Sequence, residues 1–178
     1  MIRSATLQDR PHFLRLWAQF TQDQEKAGSH MLANLNNLYR YLNHFEAYTM
    51  GSRLGSCLLC QPEDSDEPIA ITMGGELGGG DEFDTNLGKV ATMWGVYVSP
   101  EFRGRGIGLK LVAGGQKSLL ELGFDVVETY TRAENSQAMT LGTESGTTVY
   151  AVQHVISLRD PKMLNNTEAK KTLARGGE

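Results

Sequence analysis

The stretch Val96 to Leu122, VYVSPEFRGRGIGLKLVAGGQKSLLEL, constrains the fold more than any other part of the chain. It reads as an apolar strand, a Ser99-Pro100 break, a loop of glycine and arginine, and then a helix. Pro100 stops the strand because it has no N–H to give a ladder. Gly104, Gly106 and Gly108 allow a tight turn with positive φ and bare backbone amides. From Ile107 the positions Ile107, Leu111, Gly115, Leu119 and Leu122 fall at helical spacing, and Gly123 stands where a glycine ends a helix. The first N–H groups of that helix therefore open into a glycine loop flanked by Arg103 and Arg105. Orphan amides, the positive end of a helix dipole and two guanidinium groups make an anion site suited to a diphosphate.

The glycine spacing decides which kind. A dinucleotide fold needs G-x-G-x-x-G, and here the glycines run G-x-G-x-G. No G-x-x-x-x-G-K-[S/T] string exists either, since Gly88-Lys89 is followed by Val90. The run Arg103-Gly104-Arg105-Gly106-Ile107-Gly108 resembles instead the R-x-x-G-x-G/A loop of the GNAT (Gcn5-related) N-acetyltransferase superfamily. The strand end before it, Val96-Tyr97-Val98-Ser99-Pro100, matches the V-x-V-x-P half of that signature. In that family the loop holds the pyrophosphate of acetyl-coenzyme A.

Size and charge agree with such an enzyme. At 178 residues, 40% hydrophobic and 21% charged, the chain suits one soluble domain with a sizeable core. A formal charge of −4 argues against a nucleic-acid surface, which needs clustered Lys and Arg. No apolar run approaches a membrane span, and the amino terminus lacks the basic-then-apolar pattern of a signal peptide, so a cytoplasmic protein is expected. Cys57 and Cys60 form a lone C-x-x-C in a strand, where alternation sends them to opposite faces, and no second pair completes a metal site.

Before the signature, residues 1 to 8 read as a short strand, with Asp9 as a helix cap and Pro11 in the first helical turn. Phe13, Leu16, Trp17 and Phe20 mark one apolar face. A polar break is expected from Thr21 to His30, then a second helix with Leu32, Leu35, Leu38/Tyr39, Leu42 and Phe45 inward. Strands are expected at about Gly55–Gln61 and Pro68–Leu77, with a bulge or bend at Gly74-Gly75. The acidic, glycine-rich loop 78–86 follows, with Asp81, Glu82 and Asp84 a candidate collector of cations. In the strand Lys89 to Val98, alternation places Val90, Thr92, Trp94, Val96 and Val98 on one face, and Gly95 suggests a bulge or close backbone approach. Phe124 to Arg132 forms the parallel partner across a right-handed crossover. A short helix capped by Asn135 or Ser136 precedes a last strand, Thr148 to Leu158. Residues 159–178 read as a polar, flexible tail, which leaves 1–158 as the domain.

The resemblance extends to N-x-x-A-x-x-L-Y-x-x-x-G-F, matched by Asn135, Ala138, Leu141 and Gly146 but not at Gly142, where the Tyr would be, or Thr147, where the Phe would be. It implies an α/β GNAT fold: a mixed, mostly antiparallel sheet with one splayed parallel strand pair, flanked by helices. It also implies that the backbone of Val96, Tyr97 and Val98 meets the pantetheine and acetyl carbonyl. The amides from Arg103 through Gly104, Arg105, Gly106 and Ile107 to Gly108 hold the diphosphate, and Asn135 touches the coenzyme arm. No metal is implied. The first two helices then border the acceptor, with Tyr39, Tyr41, His44 and Glu46 as candidates.

Acetyl transfer to an amine needs a base for the ammonium proton and an acid for the departing thiolate. Glu128, mid-strand among Val126, Val127 and Tyr130, is the first candidate base, where burial is expected to raise its pKa; Glu76 is the second. The family's usual thiolate-protonating Tyr position is Gly142, so Tyr150, Tyr130 or a water must serve instead. The expected activity is transfer of acetyl from acetyl-CoA to a primary amine, on a small molecule or a protein. Alternatives are a degenerate acyl-CoA-binding regulator or a protein-interaction module. Many GNAT proteins pair as dimers; the sequence leaves a homodimer open.

Overall fold

The structure is a computed structural model, and it describes residues 1–27, 34–51, 53–76, 88–131 and 135–146. These all fall within one compact unit, 1–147. The expected last strand 148–158, the tail 159–178 and the acidic loop 78–86 lie outside the described residues.

The elements are β1 (Ile2–Ser4), α1 (Arg10–Lys26), α2 (Leu35–Thr49), β2 (Gly55–Cys60), β3 (Ala70–Gly75), β4 (Val90–Val98), α3 (Ile107–Glu121), β5 (Val126–Glu128) and α4 (Ser136–Glu144). The five strands form one sheet in sequence order. The first three pairings are antiparallel, and β4 pairs with β5 in parallel. This is the expected mixed sheet with one parallel pair. Among the described residues no helix is long and apolar enough to cross a membrane.

Helices α1 and α2 cover one face of the sheet. Phe13, Leu16 and Trp17 of α1 are fully buried, as the apolar stripe predicts, and pack with Phe45 of α2 over Leu59, Ile71 and Met73. Phe13 stacks between Trp17 (centroids 5.5 Å apart) and Phe45 (4.5 Å). On the other face, Leu111 of α3 packs with Leu58 and Ala70. Leu119 packs with Ala91 and Phe124. Cys57 and Cys60 are free thiols packed into opposite faces, as alternation requires. Burial pushes the Cys57 thiol pKa up.

Several local expectations are corrected. α1 does not stop at Thr21; Gln22 to Lys26 contain no helix breaker, and the Thr21 hydroxyl is satisfied by Ala18 O at 2.9 Å. Asp9 stands at the head of α1 but does not cap it with its side chain. Its carboxylate instead takes two bonds from Arg3 (2.7 and 2.8 Å) and two from Thr6, N–H at 2.8 Å and hydroxyl at 3.0 Å. The inward stripe of α2 is Leu38, Leu42, Phe45 and Tyr48, while Leu35 and Tyr39 are exposed. Leu32 lies outside the described residues.

The largest departure is in β4. Met73 of β3 pairs with Gly95 and Gly74 pairs with Met93, so Trp94 is an extra residue without a partner in that register. The bulge falls in β4, not at Gly74-Gly75, and it reverses the alternation beyond it. Val96 and Val98 pack with Ile107 and Leu111 of α3. Ala91 packs against Leu119 of the same helix, and Met93 reaches Gly115. Trp94 and Tyr97 lie in the α1–α2 core. Strict alternation had put Val96 and Val98 on one face with Trp94; one inserted residue breaks that set.

Candidate active site

The parallel pairing of β4 with β5 ends at Thr92 and Glu128, but β4 continues to Val98. Thr129 adds one side-chain bond, its hydroxyl to Met93 O at 3.4 Å. Beyond that, the edge of β4 from Trp94 to Val98 has no strand partner on the β5 side among the described residues. The pair thus opens like a fork, with Glu128 at its closed end and the glycine loop past its open end.

At the open end, Pro100–Phe102 make one tight helical turn and Arg103 leaves it in extended conformation. Gly104 and Gly106 have φ of 75° and 72°, which a Cβ disfavours. Gly106 is the N-cap of α3, and the first helical bond is Lys110 N–H to Gly106 O at 3.1 Å. The amides of Ile107, Gly108 and Leu109 therefore have no carbonyl within the helix to receive them. A Cβ at Gly104 or Gly106 would meet nothing within 4 Å, so the glycines face open space. Gly108 differs: it is helical, and a Cβ there would stand 3.7 Å from Leu141 of α4 and 3.9 Å from Val98.

The arginines are engaged. Arg103 donates from Nε to Val98 O (2.9 Å) and from Nη2 to Asp23 Oδ2 (2.7 Å), with its guanidinium 5.6 Å from the Tyr97 ring centre. Arg105 donates to Glu101 O at 3.1 Å and lies over Phe102. Tyr97 is buried beneath, and that burial raises its hydroxyl pKa. Asn135 caps α4, its Oδ1 accepting from Ala138 N–H at 3.1 Å. Gly142 sits in that helix, where its carbonyl accepts the Ser145 hydroxyl at 2.7 Å.

At the closed end, the half-buried Glu128 accepts from Thr92 Oγ1 (2.8 Å) and from the Tyr130 hydroxyl (3.3 Å). Tyr130 is largely exposed; its pKa is raised by partial burial and then by the adjacent Glu128 carboxylate. Tyr150 lies outside the described residues. The bulge residue Trp94 is fixed on the α2 side: His44 stacks on it at 5.0 Å and 28°, Tyr41 meets it edge-on at 6.0 Å, and its indole N–H donates to Tyr48 OH at 3.3 Å. Tyr48 OH donates in turn to Glu76 O at 3.1 Å. Burial, and then the nearby Arg40 charge, lower the His44 pKa, which favours neutral imidazole at pH 7. Of the residues expected beside the acceptor, Tyr41 and His44 meet Trp94. Glu46 is instead paired with Arg10 at 3.3 Å, and Tyr39 faces outward.

Residues 14–142 match the model of the acetyltransferase (GNAT) family. The chain belongs to the GNAT family. No curated protein matches it by sequence. Solved GNAT-fold structures do match by shape. A mutant of the BH1408 protein from Bacillus halodurans superposes with a TM-score of 0.68 at 18% identity, covering 89% of this chain and 99% of that one. The aminoglycoside N-acetyltransferase AAC(6')-Iy in complex with CoA gives 0.59 at 18% identity, covering 90% and 94%. A ribosomal-protein-alanine N-acetyltransferase from Brucella melitensis biovar Abortus 2308 gives 0.61 at 14% identity, covering 89% and 98%. At these identities the likeness is one of fold.

Two contributors to the site carried no signal of their own in the sequence. Asp23 is one of several charges on a helix face until the fold brings Arg103 to it. Trp94 is marked as special only by the register shift, and Gly95 beside it was the sole hint.

Proposed function

We propose that this GNAT protein transfers acetyl from acetyl-CoA to a primary amine by direct attack within a ternary complex. The observation that carries the reading is the fork in the sheet. It leaves a strand edge open for the pantetheine arm, with bare helix amides at one end and a carboxylate at the other. The amides of Gly104 to Leu109 and the dipole of α3 would hold the diphosphate. The backbone from Val96 to Val98 would meet the pantetheine and the thioester carbonyl, where an N–H also stabilises developing negative charge on that oxygen. The Asn135 amide group would face the coenzyme arm from the head of α4.

The acceptor enters from the α2 side, past Trp94, His44 and Tyr41. Its ammonium gives a proton to Glu128, directly or through a water, and the neutral amine attacks the carbonyl carbon. A C–N bond forms and the C–S bond breaks. Coenzyme A leaves as thiolate, which an ordinary thiol pKa of about 8.5 makes tolerable. It takes a proton from Tyr130, Tyr150 or water, since Gly142 has none to give, and the second proton shed by the attacking nitrogen as the amide forms restores that donor. That glycine is the observation favouring a second reading, a member that binds acyl-CoA without turnover.

Thermal melting with acetyl-CoA tests the donor site. At 100 times its Kd the ligand adds about 2.7 kcal/mol, a rise of roughly 5–10 °C in Tm. Gly106→Glu should abolish the rise. No rise in the wild type at millimolar acetyl-CoA sinks the enzyme reading. With binding in hand, amine-dependent release of free thiol across a panel of aminoglycosides, polyamines and peptides separates turnover from silent binding.

A further inference from the structure

Glycine loops aim their amides well only when something outside the glycines holds them. Gly104 and Gly106 have no neighbours within reach of a Cβ, so no packing of their own fixes the turn. The restraint has to come from the flank, and Arg103 supplies it. Its Nε closes a ring back to Val98 O at 2.9 Å, and its Nη2 reaches Asp23 of α1 at 2.7 Å. With both bonds made, over the buried Tyr97, the planar guanidinium has one orientation.

Asp23 also lies one turn beyond Phe20 on α1. A Cβ on Gly95 would stand 2.7 Å from the Phe20 ring, and that ring lies 6.4 Å from Tyr97. Helix α1 therefore braces β4 twice, at the bulge through Phe20 and past the strand's end through Asp23. These two points bracket the open strand edge.

We infer that Asp23 is a positioning residue for the diphosphate site, holding Arg103 as a strut that sets the first turn of the glycine loop. The inference rests on the coenzyme reading above and gives Arg103 a different part from that of a free cation. The two parts predict opposite signs. If Arg103 served as a free cation, a carboxylate beside it would compete with the diphosphate, and removing Asp23 would tighten coenzyme binding. If Arg103 is a strut, removing Asp23 loosens the loop and weakens binding.

The test compares wild type, Asp23→Ala and Asp23→Asn for binding of coenzyme A and of pantetheine, which lacks the diphosphate, by ligand-observed NMR. Asp23 is partly exposed, and melting curves will verify that both variants fold. Asp23→Ala should raise the Kd for coenzyme A about three- to fivefold, the size of one partly exposed ion pair, and leave pantetheine unchanged. Asp23→Asn keeps an acceptor oxygen for Arg103 and should recover most of the loss. Tighter or unchanged coenzyme A binding in Asp23→Ala overturns the inference, as does an equal loss with pantetheine. Wild type that binds no coenzyme A would instead fail the coenzyme reading, and this inference with it.

Discussion

The two ends of the open strand edge are built from different materials. Toward the loop, the surface offered to a ligand is main chain: amides at the head of α3, exposed because two glycines carry no side chains. Toward the fork, it is side chain: Glu128 held by Thr92 and Tyr130, and Trp94 held by His44, Tyr41 and Tyr48. Main-chain sites recognise what every donor shares, a charged diphosphate. Side-chain sites are tuned one residue at a time, and under the proposed function it is there that one acceptor would be told from another. The difference teaches where this protein's individuality lies.

Substitutions can break that division. The largest expected effect is on turnover. Glu128→Gln should lower kcat for amine-dependent thiol release by about 100-fold or more while the acetyl-CoA melting shift stays at its wild-type size. A lost shift would mean the two ends are not separable. Next comes Gly95→Ala, which drives a methyl into the Phe20 ring where α1 meets the bulge. Overpacking there should cost about 1–3 kcal/mol, read as a lower midpoint in urea with the slope unchanged, and should disturb both ends together.

A control lies at the far corner of the sheet. Hydrogen bonds from Arg3 hold the Asp9 carboxyl at about 2, below the ordinary 3.8. Because the folded pKa is the lower one, this pair stabilises fully above pH 4, and the gain is lost as pH falls through about 2. Asp9→Asn should cost about 2 kcal/mol at pH 7, and its melting curves should converge on wild type under acid. Neither ligand end should respond. The smallest effect belongs to Gly106→Ala: about 1 kcal/mol of strain at φ 72°, with a weaker coenzyme A Kd by isothermal titration and an unchanged kcat at saturating donor.

The same contrast governs what could be read without coordinates. The loop end was legible because its requirements are local. Positive φ and a helix start are written in Gly104, Gly106 and the 3.6-residue spacing after Ile107, and Gly123 ends the helix at φ 86° as its position implied. The apolar face of α1 was legible for the same reason. At the fork end the parallel pair and Glu128 were legible, but the bond between Thr92 and Glu128 was not, since the two stand 36 residues apart and meet only through the parallel register. The length of α1 past Thr21 depended on the absence of breakers, which a polar composition hid. Val96, Tyr97 and Val98 were set on the wrong faces relative to the first half of β4, because alternation holds only while pairing is one to one.

That extra residue has a consequence for how the strand can change. The two halves of β4 are out of phase, like a sentence shifted by one letter midway. Delete Trp94 and the halves come back into step without turning over: Gly95 still pairs with Met73 and Met93 with Gly74, so Val96 and Val98 stay against α3 and Tyr97 against α1, while the indole that His44 and Tyr41 meet is gone. Point changes along β4 adjust a surface by degrees; a one-codon deletion at this position would remove a whole side chain and the local kink while leaving both packed faces in place.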